Sequence, residues 1–258
     1  MQTQFERLTD DQWEVIKHFL DWQRKRELDL REVFDAILYV TRTGTQWRNL
    51  HETNFPAWTA VYYYFDKWKK KGVLERISLA LNQLERIAVG REAAPSLASV
   101  DSQSVKLAPM IHEDRGIDGN KKINGRKRHI LVDTLGRIYA VCVGAANVHD
   151  APGGMPLLDQ AGAQGDRLIT ILGDNAYRKR FADAALERGI IVEIPERPEG
   201  TGGFAVETKR WVVERSFAWL NFYRRLAVDR EYTVKSSACF VLLTNISMIL
   251  GKSEIFTN

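Results

Sequence analysis

The sequence predicts an α/β protein in two parts: a wholly helical stretch over residues 1–90, then a mixed sheet flanked by helices over residues 95–258. Three observations lead there. Apolar residues recur at helical spacing as far as residue 88, the polar stretch Gly90 to Pro95 breaks the pattern, and short alternating or wholly apolar runs of strand length follow. A chain of 258 residues can bury enough core for one large domain or for two smaller ones.

In the first helix, over 8–20, Thr9 or Asp10 caps the start, and Leu8, Val15, Ile16, Phe19 and Leu20 fall near one face. The second sets Leu30, Val33, Phe34, Ile37 and Leu38 at helical spacing and stops at Gly44. A third follows Pro56. Its inward stripe is Trp58, Val61, Tyr62, Phe65 and Trp68, leaving Thr59, Tyr63, Asp66, Lys67 and Lys70 facing out. A fourth spans about 72 to 88. Short helices joined by tight loops, the third with a basic outer face, fit a helix-turn-helix-like module and equally a plain helical bundle. On the first reading Tyr63, Lys67 and Lys70 contact DNA.

Strand-like runs come next at 97–101, 128–133 and 137–143, the last two joined as a hairpin through Thr134-Leu-Gly-Arg137. A helix near 152–161, a buried strand at 168–173, a helix at 178–188, a short strand at 190–194 and a long helix from about 206 complete the order. Pro195 to Gly203 is a Pro/Gly-rich loop. The order β-β-β-α-β-α-β-α, antiparallel first and helix-linked later, is that of a ribonuclease-H-like fold. On it the first and fourth strands are neighbours. Asp101, ending Leu97-Ala-Ser-Val, then lies near Asp174, ending Leu168-Ile-Thr-Ile-Leu-Gly, and Glu214 projects toward both from the last helix.

The formal net charge of +4 says little about partners, but its distribution says more. Lys121, Lys122, Arg126, Lys127 and Arg128 lie between Gly119 and His129 with no acid among them. Glu214 is set in the basic, aromatic run Lys209-Arg-Trp-Val-Val-Glu-Arg-Ser-Phe-Ala-Trp-Leu-Asn-Phe-Tyr-Arg-Arg225. Three acids in basic surroundings point to metal-dependent chemistry on nucleic acid. Phosphodiester cleavage and strand transfer need an in-line nucleophile, charge neutralisation and a stabilised leaving oxygen, and two hard divalent ions roughly 3.5–4 Å apart supply all three. Mg²⁺ takes oxygen ligands and keeps several waters, so three carboxylates suffice when one bridges both ions. Read singly, each acid has a plainer role: strand-end aspartates cap loops, and Glu214 pairs with Arg210 one turn earlier.

Cys142 and Cys239 sit in apolar runs and read as buried, reduced thiols, which suits a cytoplasmic protein and argues against disulfides or a zinc site. The N-terminus is charged and amphipathic rather than a signal peptide. No apolar stretch approaches the roughly 20 residues needed to span a bilayer.

The longest motifs are Asp29-Leu-Arg-Glu-Val-Phe-Asp-Ala-Ile-Leu-Tyr-Val, Arg42-Thr-Gly-Thr-Gln-Trp-Arg, Thr59-Ala-Val-Tyr-Tyr-Tyr-Phe, Val100-Asp-Ser-Gln-Ser-Val-Lys106, Lys121-Lys-Ile-Asn-Gly-Arg-Lys-Arg-His-Ile-Leu-Val-Asp133 and Arg210-Trp-Val-Val-Glu-Arg. On these stretches, collinear from about residue 7 to 250, the chain resembles the DDE transposases of bacterial insertion sequences, in the superfamily of insertion sequences four and five. The resemblance implies that Asp101, Asp174 and Glu214 are catalytic and hold two Mg²⁺ ions, with Mn²⁺ able to substitute. It also implies double-stranded DNA, transposon end and target, as partner. Because strand transfer holds two ends together, at least a homodimer on DNA is expected, in the cytoplasm and on the nucleoid. In the family pattern Tyr-x2-Arg-x3-Glu-x6-Lys, Arg210 and Glu214 match, whereas Glu207 and Asn221 depart from it. Arg224, one turn past Asn221 on the same helix, is read as the substitute cation.

Lys106, Lys121, Lys122, Arg126, Lys127 and Arg128 are read as phosphate contacts bordering the site, against the plainer reading of a solvated hairpin. Trp211 and Trp219 suit base stacking and core packing alike. His149 suits a phosphate or a water, while the simpler role near Asn147, His149 and Asp150 is to cap the next helix. The whole predicts cleavage at transposon ends and joining of the freed 3′-OH to target DNA. The alternatives are a transposase-derived DNA-binding protein without transposition, and a metal-dependent nuclease that never joins strands.

Overall fold

Four helices open the chain: α1 (Asp10–Lys17), α2 (Leu30–Thr43), α3 (Trp58–Lys70) and α4 (Val73–Ala88). The computed structural model describes residues 5–25, 27–52, 54–194 and 211–252. α1 starts in a capping box between Thr9 and Gln12. In α2 the Asp29 side chain accepts from Arg31 N, and the helix stops at Gly44, whose φ of 70° is left-handed. α3 buries Val61, Phe65 and Trp68 as its spacing predicts. Tyr62, expected inward, is 42% exposed. It stands about 100° round the helix from Val61, so it reaches only the rim of the core, where its ring meets Trp47 edge-on.

The sheet holds β1 (Leu97–Lys106), β2 (Gly116–Asp118), β3 (Ile123–Asp133), β4 (Ile138–Ala145), β5 (Thr170–Leu172) and β6 (Ile191–Glu193). β3 pairs antiparallel with β1, β4 and β2, and β5 pairs parallel with β1 and β6. Apart from the short β2, absent from the sequence-predicted order, the order across the sheet is β4-β3-β1-β5-β6. This is the expected ribonuclease-H-like arrangement, with β1 beside β5, the fourth strand of the expected order. β1 does not end at Asp101 as predicted. It runs on to Lys106, because polar residues from Ser102 onward are still paired with β3.

The remaining helices are α5 (Asp150–Gly162), α6 (Arg180–Leu186), α7 (Trp211–Leu220), α8 (Arg224–Ala227) and α9 (Val234–Leu250). The single long helix expected from about 206 is, over the described residues, α7, a turn at Asn221–Tyr223 and the separate α8.

The sheet separates two cores. On one face α5, the 3-10 turn Asn175–Tyr177 and α6 cover Val100, Leu131 and Ile171 with Leu157, Leu158, Tyr177 and Phe181. On the other, Ile130 and Val132 meet α7 and α9, and the same cluster continues into Phe34, Ile37, Phe65, Trp68, Ile77 and Leu81 of the first helices. Buried polar links reinforce that continuity. Arg137 donates to both oxygens of Glu85 at 2.6 and 2.9 Å, and Arg86 pairs with Asp133 at 2.7 Å. Asn82 and Asn245 bond the backbone C=O and N–H of Ile138. The predicted division at 90–95 falls on the α4–β1 connection, yet the first helices share their core with the sheet.

The outer edge of β4 is closed by side chains of α5 and of the residues just after it. Gln160 accepts from Val141 N and donates to Val141 O, and Gln164 donates to Tyr139 O. Both cysteines are free, and burial pushes each thiol up to about 12. Among the described residues no helix is long and apolar enough to cross a membrane.

Candidate active site

Asp101 stands opposite Ile130 in the β1–β3 ladder, and cross-strand partners share a face. That face meets α7 and α9, while the neighbours Val100 and Ser102 turn toward α5. The Asp101 carboxylate accepts from Ser102 N at 2.6 Å. On β5, Leu172 pairs with Ser99 of β1. Two residues on from that pair come Asp174, just past the end of β5, and Asp101, still within β1. Asp174 caps the short 3-10 turn Asn175–Tyr177, accepting from Ala176 N at 2.9 Å. Glu214 lies exposed in the first turn of α7, the helix that packs across β1 and β3 through Val212, Val213, Ser216 and Phe217.

The topology thus puts Asp101 on the strand beside the one that leads to Asp174, and sets the helix of Glu214 against the strand of Asp101. Carboxylate oxygens are the donors a hard divalent cation prefers. Among the described residues, no three His, Cys, Asp or Glu side chains gather closely enough to hold an ion.

Beneath the aspartates lies a polar group that sequence reasoning missed. Tyr177 is fully buried, with its hydroxyl 3.2 Å from His129 Nδ1. Burial raises the hydroxyl well above its ordinary value, and the charges of Asp150, Asp101 and Asp174 add to the effect. Burial lowers His129 to about 4, keeping the imidazole neutral. Burial also pushes the Asp150 carboxyl up, but hydrogen bonds from Lys127 and Ser102 outweigh that and leave it below the usual range. The available signal was proximity: Ser102 follows Asp101, and Tyr177 follows Asp174 by three residues. His149 takes the N-cap backbone position of α5 without a side-chain cap, and Asp150 turns to the sheet instead.

The predicted basic strip divides. Lys106, Lys121 and Lys122 are exposed. Arg126, Lys127 and Arg128 are buried, contrary to their reading as surface phosphate contacts. They lie on a central strand covered on both faces. Arg126 donates to the carbonyls of Glu113, Glu231 and Tyr232 and pairs with Asp229, Arg128 donates to Leu226 O, and Lys127 donates to Val148 O and pairs with Asp150. Trp211 and Trp219 stack on Arg215, whose guanidinium carbon is 4.3 and 4.4 Å from their ring centroids. Arg224 is exposed but begins α8, so it does not share a helix face with Asn221. Arg210 and Glu207 lie outside the described residues. On α3, Tyr63 is 60% exposed, Lys70 pairs with Asp66 at 2.6 Å and Lys67 with Asp21 at 3.6 Å.

A ribonuclease-H-like sheet with one aspartate within its central strand, a second just past the neighbouring parallel strand and a glutamate on a helix packed across it defines a class of carboxylate-bearing α/β proteins. Within that class, the chain belongs to the family described as "Transposase DDE domain", which it matches over residues 92–249. Residues 8–78 match a second description, "Putative transposase of IS4/5 family". The chain is 31% identical over 131 residues to the "Putative transposase for insertion sequence element IS402" of Burkholderia cepacia, covering 46% of this chain and 60% of that relative's length. It is likewise 31% identical over 103 residues to the uncharacterized protein y4sN of Sinorhizobium fredii, covering 38% of this chain and 75% of that one. Among solved structures it is similar to the catalytic core domain of BIV integrase (18% identity, 57% of this chain and 82% of that one, TM-score 0.34). A pre-cleavage Mos1 transpososome matches at 11% identity over 91% of this chain and 82% of that one, with a TM-score of 0.27. At those scores the fold assignment stands on the strand order itself.

Proposed function

We propose that this protein is an insertion-sequence transposase that cuts DNA at the ends of its element and joins the freed 3′-OH to target DNA. The observation that supports the reading is the register of β1 against β5, whose last pair, Ser99 and Leu172, lies two residues before Asp101 and Asp174 respectively. With Glu214 they would hold two divalent ions, Mg²⁺ or Mn²⁺ in its place, which when bound supply a polarised nucleophile and charge neutralisation at the phosphate. The protein's own part is to aim the ligands. Backbone N–H groups of Ser102 and Ala176 fix the two aspartates before any substrate arrives.

Lys106 lies five residues beyond Asp101 on β1, about 16 Å along an extended strand. With Lys121 and Lys122 it gives a cationic track for phosphates away from the cut. Tyr63, Lys67 and Lys70 on α3 present a second face to the transposon end. The acids beside both lysines are surface partners worth little, so phosphates displace them readily. Arg210 is assigned a terminal phosphate beside Glu214, and Arg224 a separate contact from α8. Two copies of the chain hold the two ends.

The test is incubation of the full chain with its element's ends and Mg²⁺. Asp174→Ala is expected to abolish cleavage and joining while end affinity stays within about twofold, as are Asp101→Ala and Glu214→Gln, because a metal ligand adds little to recognition. Wild-type nicking by Asp174→Ala would remove the carboxylate assignment. Cleavage without joining by the unaltered protein would make it a nuclease, and end binding without either would make it a DNA-binding derivative.

A further inference from the structure

The face of the sheet turned to α5 carries a buried polar network that this chemistry leaves unused. Ser102 Oγ donates to Asp150 Oδ1 at 2.8 Å, and Lys127 Nζ lies 2.9 Å from the same oxygen while donating to Val148 O at 2.9 Å. His129 stands opposite Ser102 in the β1–β3 ladder. Its Nδ1 meets the hydroxyl of Tyr177, and Tyr177 closes the turn that Asp174 caps. α5 is pressed onto this group. A Cβ on Gly153 would lie 2.5 Å from His129 Nε2, and one on Gly154 would lie 3.0 Å from Tyr177 Cε1. Two runs of contact therefore start next to the two aspartates and meet under α5. One leads from Asp101 through Ser102 to Asp150 and Lys127, the other from Asp174 through Tyr177 to His129.

We propose that Ser102, Asp150, Tyr177 and His129 are positioning residues that fix the Asp101 and Asp174 carboxylates relative to each other for divalent-cation binding. The inference rests on the reading above that these aspartates are metal ligands. Tyr177 and His129 brace the turn through the 3.2 Å contact of their polar atoms, buried beneath α5. Lys127 offsets the charge of Asp150, so a third nearby carboxylate can hold Ser102 without repelling the other two. Outer partners of this kind typically change metal affinity by roughly 10–100-fold when removed.

The test titrates the full-length chain with Mn²⁺ alone, following free Mn²⁺ by its electron-spin resonance signal, at a temperature where thermal melts show every variant folded. Tyr177→Phe keeps the ring and removes the hydroxyl; Ser102→Ala cuts the other run. Each is expected to bind Mn²⁺ about 10-fold more weakly than the unaltered chain. A network that only holds the fold together would lower the melting temperature and leave Mn²⁺ affinity unchanged, and that result overturns the proposal. Should Tyr177→Phe fail to fold, Ser102→Ala decides. Failure of the unaltered chain to bind Mn²⁺, or binding that survives Asp101→Ala and Asp174→Ala, overturns the metal-ligand reading itself and the inference with it.

Discussion

Arg126 keeps its guanidinium fully out of water, where Asp229 and three backbone carbonyls are its partners. Removing one side of such a pair strands the other, at a typical loss of about 3–5 kcal/mol. Arg126→Met should therefore lower the urea midpoint sharply, and a variant of exposed Lys121 should not. In the sequence the two residues look alike, because the acid that draws Arg126 inward lies about a hundred positions away at Asp229. Asp101 and Asp174 were legible because an acid closing an apolar run stands out locally. Tyr177 and His129 were not, since an aromatic or an imidazole in such a run reads as ordinary core. Asp35 tests the linkage of charge to stability. Burial raises its carboxyl from 3.8 to about 6, while its oxygen accepts from Leu8 N at 2.9 Å. The folded state then binds the extra proton between those values, so ionisation of Asp35 opposes folding increasingly as pH rises toward 6 and fully above it. Asp35→Asn keeps an acceptor for Leu8, and should raise the melting temperature at pH 8 but leave it unchanged near pH 4.

At the scale of elements, the β3–β4 hairpin and α7 are one mechanical unit. Gly136 at the hairpin tip has φ 83°, and its carbonyl accepts from Ser216 Oγ at 2.8 Å while Leu135 O accepts from Arg215. A Cβ there would crowd Ser216, Arg215 and Trp219 at 3.0–3.1 Å, besides straining the left-handed backbone. Gly136→Val should destabilise by about 1–3 kcal/mol and, by shifting the helix that carries Glu214, slow end cleavage more than end binding. Equal losses in both, measured on the same preparation, would show that the hairpin does not set α7. The hairpin was legible from Thr134-Leu-Gly-Arg137, and α1 to α4 from their periodicity. α9 was not, because nearly every side of it is buried, and a helix apolar all round has no stripe to find. β1 overran its predicted end for a related reason. Its second half is serine and glutamine, and only pairing with β3 keeps it extended.

The molecule as a whole answers to a core shared between the first helices and the sheet. Calorimetry should show one cooperative transition, and a chain beginning at residue 95 should fail to give a sharp melt, since Phe240, Leu243 and Ile246 of α9 would lose their cover. Two separated transitions would restore an independent N-terminal unit. The change of periodicity at Gly90 marked a real change of element type, but periodicity reports which side of a helix is apolar and not what that side will meet. Gln160 of α5 and Gln164 just past it carry a last consequence. A sheet edge ordinarily offers its unpaired backbone as a template on which another chain can lengthen the ladder. With Gln160 and Gln164 already occupying the N–H and C=O of Val141 and the C=O of Tyr139, that stretch of the edge is plugged, so another strand could lengthen the ladder there only by displacing them.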